Sequence, residues 1–508
     1  MPYNGKMRSR KGREPLQLIG TRLREAASGG TLLCVLGLAC LGGAGNVMNA
    51  SLYARVAEYF GIARELSTLS LGVLFLVVFL VATRRPSLLD RRLLTMAALG
   101  CALTAAFVLE FALAAGNGPL SVAGFLFSSA ASAWASVMLV CGLSSLESPN
   151  ARLVGVACGM ALGEVANAVH PPVPFELGVI EMMGLFALVI MLLYRRSGPV
   201  LDKVAQGERP ASLELSNPES FLQPAHALFL CVGLFSVATG YGLTLNEVAH
   251  APVAVDASAA VLAGVALWML LSRGRDKEDS LFSFAMLLVV AGFIIAPFTF
   301  STDLPSANAL LRIGVRCFDM LAWLVVLAVG GRNLYALLPT FALVRCMSAL
   351  GTDVGAVAGH TTNDLVGTNG EAAMLIAEVV LFAFVAFLWL GFRRFSFSGT
   401  IQGIVGVGPQ IAFGKPGDGQ AVKEGGDRDA SDAASSIEER CARIGSECGL
   451  TEREVEIFGM LARGRNGRFV MEHYVISRNT VKSHVKHIYA KLGVHSQQEL
   501  IDLVERAG

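Results

Sequence analysis

The run "LSLGVLFLVVFLVATRR", Leu69 to Arg85, holds fifteen uncharged residues and then two arginines. It belongs to an apolar stretch near residues 64 to 83, long enough to cross a hydrocarbon core of ~30 Å. It ends as a span does where it meets the cytoplasm, because positive charge stays on that side of a membrane. Eleven more runs of about the same length occur near 31 to 54, 92 to 115, 119 to 146, 151 to 170, 174 to 194, 224 to 249, 254 to 272, 281 to 301, 307 to 330, 334 to 358 and 371 to 392. A polar break separates the sixth from the seventh, so the pattern is six plus six. The composition agrees: among 508 residues 54% are hydrophobic and 16% charged, with a mean hydropathy of +0.57, whereas about 25% of a soluble domain is charged.

Loop charges orient the spans. With residue 1 inside, thirteen lysines and arginines fall in cytoplasmic loops, from Arg84 to Arg332, and two, Arg55 and Arg64, fall in outward loops. An even number of spans then returns the C-terminus to the cytoplasm. The expected location is the inner (cytoplasmic) membrane, multi-pass, with both termini cytoplasmic. The expected fold is all-α: a polytopic bundle of about 12 spans and a small soluble four-helix domain. Residues 1–28 read as a basic cytoplasmic segment, 29–394 as the membrane domain, 395–435 as a flexible linker and 436–508 as the soluble domain. The linker stretch "GKPGDGQAVKEGGDRDASDAASS" is rich in Gly, Asp and Ser, and a coil of roughly forty residues, about the length of the whole linker, reaches ~35 Å.

Several chemistries find no footing. Eight of the ten cysteines lie in apolar stretches, and Cys441 and Cys448 lack the spacing of a zinc site. "GPQIAFGKP", Gly408 to Pro416, has one residue too many between its glycines and Pro416 where a phosphate loop needs Ser or Thr. With no nucleophile elbow or metal cluster either, the expectation is a protein that is not an enzyme, with no catalytic residue, no metal and no cofactor.

The tail carries helix punctuation. Ser436 with Glu439, Thr451 with Glu454 and Ser496 with Glu499 make the S/T-x-x-E capping box, and Gly493 stands where a helix-ending glycine belongs. Val455, Phe458, Leu461, Val470, Ile476, Val481, Val485, Ile488 and Leu492 recur at helical spacing and form an expected core. Between Arg463 and Lys491 seven basic residues face the single acid Glu472. Burying the valines of the helix from Arg478 leaves Lys482, Ser483 and Lys486 outward, as a reader of the major groove needs. His484 and His487 read as packing and phosphate-side residues rather than metal ligands.

Through "LTEREVEIF", Gly464, "ISRNTVKSHVKHIYAKLGV" and "SQQELI", residues 450 to 504 resemble the LuxR-type (FixJ/NarL-type) helix-turn-helix domain. Met471 and Tyr474 depart from the usual Ala and Leu. The resemblance implies binding of double-stranded promoter DNA as a homodimer, with Lys482, Ser483, Lys486, Thr480, Arg478, Asn479, Arg465 and Arg468 at the interface. The membrane part is weakly similar in its six-plus-six layout to the major facilitator transporters.

Ionisable residues inside a bilayer are costly and point to function. Here they gather in the outer or middle parts of the spans. Arg312, Arg316 and Asp319 share one face of the tenth span, with Glu378 as an expected acidic partner. Together with Arg345, Glu110, Glu164 and Glu247 they are the candidates for sensing a small-molecule ligand. The expected function is a membrane-embedded one-component transcriptional regulator. The alternative is a major-facilitator-type transporter with an attached regulatory DNA-binding domain.

Overall fold

The computed structural model describes residues 28–507 apart from 172, 208–209, 218–219, 245–257, 273–275, 300–305, 367–369, 393–394 and 405–426. Helices alone build the described residues. The first half of the bundle comprises α1 (Gly29–Ala57), α2 (Ala63–Arg84), α3 (Arg91–Ala115), α4 (Gly118–Ser144), α5 (Pro149–Val169) and α6 (Phe175–Gln206). A short helix α7 (Pro210–Ser216) lies on the connection between halves. The second half comprises α8 (Ala227–Thr244), α9 (Ser258–Leu271), α10 (Lys277–Thr299), α11 (Ser306–Arg332), α12 (Leu334–Val366) and α13 (Gly370–Phe392).

Eleven of these helices are long and apolar enough to cross a membrane, and α9, at fourteen described residues, is the shorter twelfth. The six-plus-six layout holds. The lengths differ from expectation at two places. Helix α6 runs past Arg195 and Arg196 to Gln206 through an internal Pro199, and its 32 residues make a rod of about 48 Å, so it projects beyond the hydrocarbon. Helix α1 changes to a π-helical turn over Met48–Tyr53 before ending at Ala57.

Small residues let the helices approach. Along α12, Gly351, Gly355 and Gly359 are spaced by four and lie against α8. A Cβ on Gly355 would stand 2.0 Å from the Val237 carbonyl, and one on Gly351 2.2 Å from that of Gly233. Backbones in contact supply the dense packing that holds helices together in lipid. Helix α4, with its alternating Ser, Ala and Gly, is buried over most of its length.

At one end of the bundle the chain is fastened as it leaves. Helix α14 (Phe397–Gly403) is capped by Ser396, and Asp279 accepts the backbone N–H of Phe397 at 2.6 Å. Arg332, the last residue of α11, donates Nη1 to the carbonyls of Gln402 and Ile404, each at 2.9 Å.

The soluble domain has its own core, separate from that of the bundle. It comprises α15 (Asp427–Glu447), α16 (Glu452–Ala462), α17 (Gly467–Tyr474), α18 (Arg478–Leu492) and α19 (Gln497–Arg506). Two expectations need correction. Ser436 lies within a helix rather than at its start: α15 begins at Asp427. Ile457 rather than Val455 enters the core, with Phe458 and Leu461 on the same face of α16, while Val455 packs over Gly445.

Candidate DNA interface and buried charge cluster

Four capped helices set the geometry of the tail. At the start of α16, Thr451 Oγ1 accepts the Glu454 N–H and Glu454 Oε2 accepts the Thr451 N–H at 2.9 Å, a complete capping box. Asn466, Ser477 and Ser496 cap α17, α18 and α19 through their side-chain oxygens. Gly493 ends α18 at φ 67°, the left-handed conformation that glycine adopts without strain. Between α17 and α18 the same conformation falls on Val475, at φ 52° and 90% exposed, where a β-branched side chain is strained. This tight turn aims α18.

Val481, Val485 and Ile488 are buried, so α18 is fixed by its apolar stripe. On the opposite side Arg478, Asn479, Thr480, Ser483 and Lys486 are exposed, and Lys482 is half-buried. The candidate base-reading residues thus share one face. Arg465 lies with its guanidinium 4.8 Å over the Phe469 ring. Arg468 is on α17, with its side chain outside the described residues. Two of the seven basic residues serve structure. Arg463 pairs with Glu438, and Lys491 donates to Glu454 at 2.6 Å. Burial alone would raise the Glu454 pKa, yet the Lys491 ammonium and the hydrogen bonds from Thr451 outweigh it and hold the carboxyl down to about 2. Cys441 is a buried thiol pushed up to about 11 by desolvation, so it is inert.

Residues 449–504 match the GerE family, described as bacterial regulatory proteins, luxR family. The C-terminal domain is a LuxR-type helix-turn-helix. It is 42% identical over 60 residues to the transcriptional activator protein ExaE of Pseudomonas putida, a stretch covering 12% of this chain and 28% of that protein. It is 39% identical over 67 residues to the uncharacterized response regulatory protein YgeK of Escherichia coli, covering 13% and 46%. The chain therefore spans less than half the length of these relatives. The bundle is similar to the human organic anion transporter MFSD10, with TM-score 0.44 and 14% identity over 70% of this chain and 98% of that one. It is also similar to the Escherichia coli fucose:proton symporter FucP, with TM-score 0.42 and 13% identity over 72% and 99%. The chain carries this LuxR-type regulatory domain after a helical bundle in which eleven helices are long and apolar enough to cross a membrane.

Far from the LuxR-type domain, the charges of the bundle meet. Glu164, near the end of α5, is buried; Arg316 Nε stands 2.6 Å from its Oε1 as an ion pair, and Arg312 Nη2 donates to its Oε2 at 3.5 Å. Arg316 Nη1 also stands 3.7 Å from Asp319, one turn along α11. Asp319 and Arg345 line one cavity with Trp323, Phe341 and Ser348, of about 20 Å³, room for a water and no more. The Arg345 guanidinium also lies 5.9 Å over the Phe75 ring. The remaining candidates lie elsewhere. Glu378 is exposed on α13, and the carboxylate that meets the arginines is Glu164 instead. Glu110, on α3, has a buried Oε2 without a hydrogen-bond partner among the described residues. Glu247 lies outside the described residues.

Sequence reasoning missed three features. His360 Nε2 and Glu65 Oε1 are 3.0 Å apart between α12 and α2, and His170 Nε2 and Glu181 Oε1 are 2.8 Å apart between the end of α5 and the start of α6. The third is Glu214 on α7, which touches the LuxR-type domain at Arg478 and Lys482. A single glutamate in a polar loop carries no signal of a partner 268 residues away.

Proposed function

We propose that this chain is a one-component transcriptional regulator embedded in the cytoplasmic membrane. A small ligand reaches the charge cluster, and the LuxR-type domain binds promoter DNA as a homodimer on the cytoplasmic side. The observation that carries this reading is the pairing of one buried carboxylate, Glu164, with two part-exposed arginines on one face of α11. The start of α11 and the end of α5 lie at the opposite end of the bundle from Arg332, α14 and the LuxR-type domain. Glu164 is then an internal occupant of a site for an anionic or carboxylate ligand, which exchanges for it on the guanidinium groups. The ligand favours a second state of the bundle, in which the guanidinium groups release Glu164.

Arg316→Gln is expected to abolish the ligand response of the target promoter while membrane level stays at wild type. Lys277→Gln, at the cytoplasmic start of α10, should change neither. A response like wild type in Arg316→Gln would contradict the sensing role. Loss of the protein from the membrane would instead identify a structural ion pair, because removing Arg316 leaves the buried Glu164 carboxylate less compensated. Uptake of the same compounds into vesicles separates this reading from that of a transporter with an attached regulator.

A further inference from the structure

The start of α18 is covered. Helix α7 touches α17 and α18 on one side and α2 on the other. Glu214 receives Arg478 Nη2 and Lys482 Nζ, each at 2.7 Å, and its side chain is only 17% exposed. Leu215 is buried against Gly467, the first residue of α17, where a Cβ would meet the Leu215 Cβ at 2.4 Å. Asn217, also buried, accepts the Gln497 N–H of α19 through Oδ1 at 3.1 Å. One segment of the bundle's central connection thus engages the first residues of three of the domain's helices.

Those first residues are where a helix-turn-helix holds the nucleic-acid backbone. A carboxylate between two cations there has the charge and the acceptor oxygens of a phosphate. We propose that α7 is an intramolecular occupant of the DNA face, which duplex DNA must displace, and that the bundle regulates DNA binding by holding or releasing it. This rests on the DNA-binding reading above and adds the means of control.

The cover is tied to the helix that carries the charge cluster. Asn333, buried at the corner between α11 and α12, donates Nδ2 to the Ser220 carbonyl at 2.9 Å, three residues beyond Asn217. One position earlier, Arg332 grips the segment that leads to the LuxR-type domain. A displacement of α11 therefore pulls on the cover and on the tether together. The affinity for DNA then scales with the fraction of molecules uncovered.

The test uses the full chain in lipid nanodiscs and a duplex of random sequence at low salt, where phosphate contacts alone give binding. Glu214→Gln should bind about three- to tenfold more tightly than wild type, and Glu214→Arg more tightly still, because the competing pair is lost and then made repulsive. Asp202→Asn, the same charge change on α6, should bind like wild type. Without DNA, amide exchange over residues 210–217 should rise in Glu214→Arg. Wild-type affinity and wild-type exchange in both Glu214 variants would overturn the proposal while leaving DNA binding intact. Absence of duplex binding by every form, Glu214→Arg included, would sink the DNA-binding reading and the proposal with it.

Discussion

Lys482 and Ser483 sit side by side on α18 and have different work. Lys482 meets a carboxylate in this structure, whereas Ser483 is exposed on the same face. Base-edge contacts are worth about 1 to 3 kcal/mol of discrimination each. Changing Lys482 or Ser483 to Ala should alter the ranking of sequences bound in a randomised-duplex selection. Arg465→Ala, outside α18, should weaken all sequences alike and flatten the salt dependence. A second residue-scale prediction concerns Glu454. Its folded-state pKa lies near 2, against an ordinary value of 4.5. A carboxylate depressed in the folded state adds stability above its ordinary pKa and loses that contribution as pH falls toward the folded one. The stability lost in Glu454→Gln, measured by denaturant unfolding of a 427–508 fragment, should be largest at neutral pH. It should shrink as pH falls from about 4.5 to about 2.

Among the elements, α12 shows what a sequence pattern can reveal. Its apolar run was legible, as was the charge of Arg345, but the four-residue spacing of Gly351, Gly355 and Gly359 acquires meaning only beside α8, which brings the Val237 carbonyl within 2.0 Å of a Cβ on Gly355. Gly355→Leu forces these backbones apart. The variant should accumulate in the membrane at a small fraction of the wild-type level by immunoblot, while Gly264→Leu on α9, where a Cβ meets nothing within 4 Å, should accumulate normally. Helix α18 was more fully legible, because its stripe of Val481, Val485 and Ile488 and its caps Ser477 and Gly493 are local signals that packing did not override. The start of α15 was not: a serine three residues before a glutamate is only a weak mark of a helix end when residues on both sides also favour helix.

For the whole molecule, two separate cores mean two units that fold by different rules, one in lipid and one in water. Span count and domain order follow from hydrophobic length, which is local and therefore readable. The pairing of Glu164 with Arg312 and Arg316 joins residues 148 or more positions apart, and such pairings depend on how helices rotate against one another, which periodicity leaves open; hence Glu378 was the expected partner and Glu164 the observed one. The contact of Glu214 with α18 is more distant still. The central claim is that the LuxR-type domain binds DNA while the bundle holds it at the membrane. Crosslinking intact cells, purifying the membrane fraction, capturing the full chain and sequencing the attached DNA tests it directly. Discrete chromosomal regions should be enriched with wild type and lost with Lys482→Glu/Lys486→Glu at equal membrane level. Equal recovery of DNA from the two forms, or no region enriched with either wild type or Glu214→Arg, would contradict it.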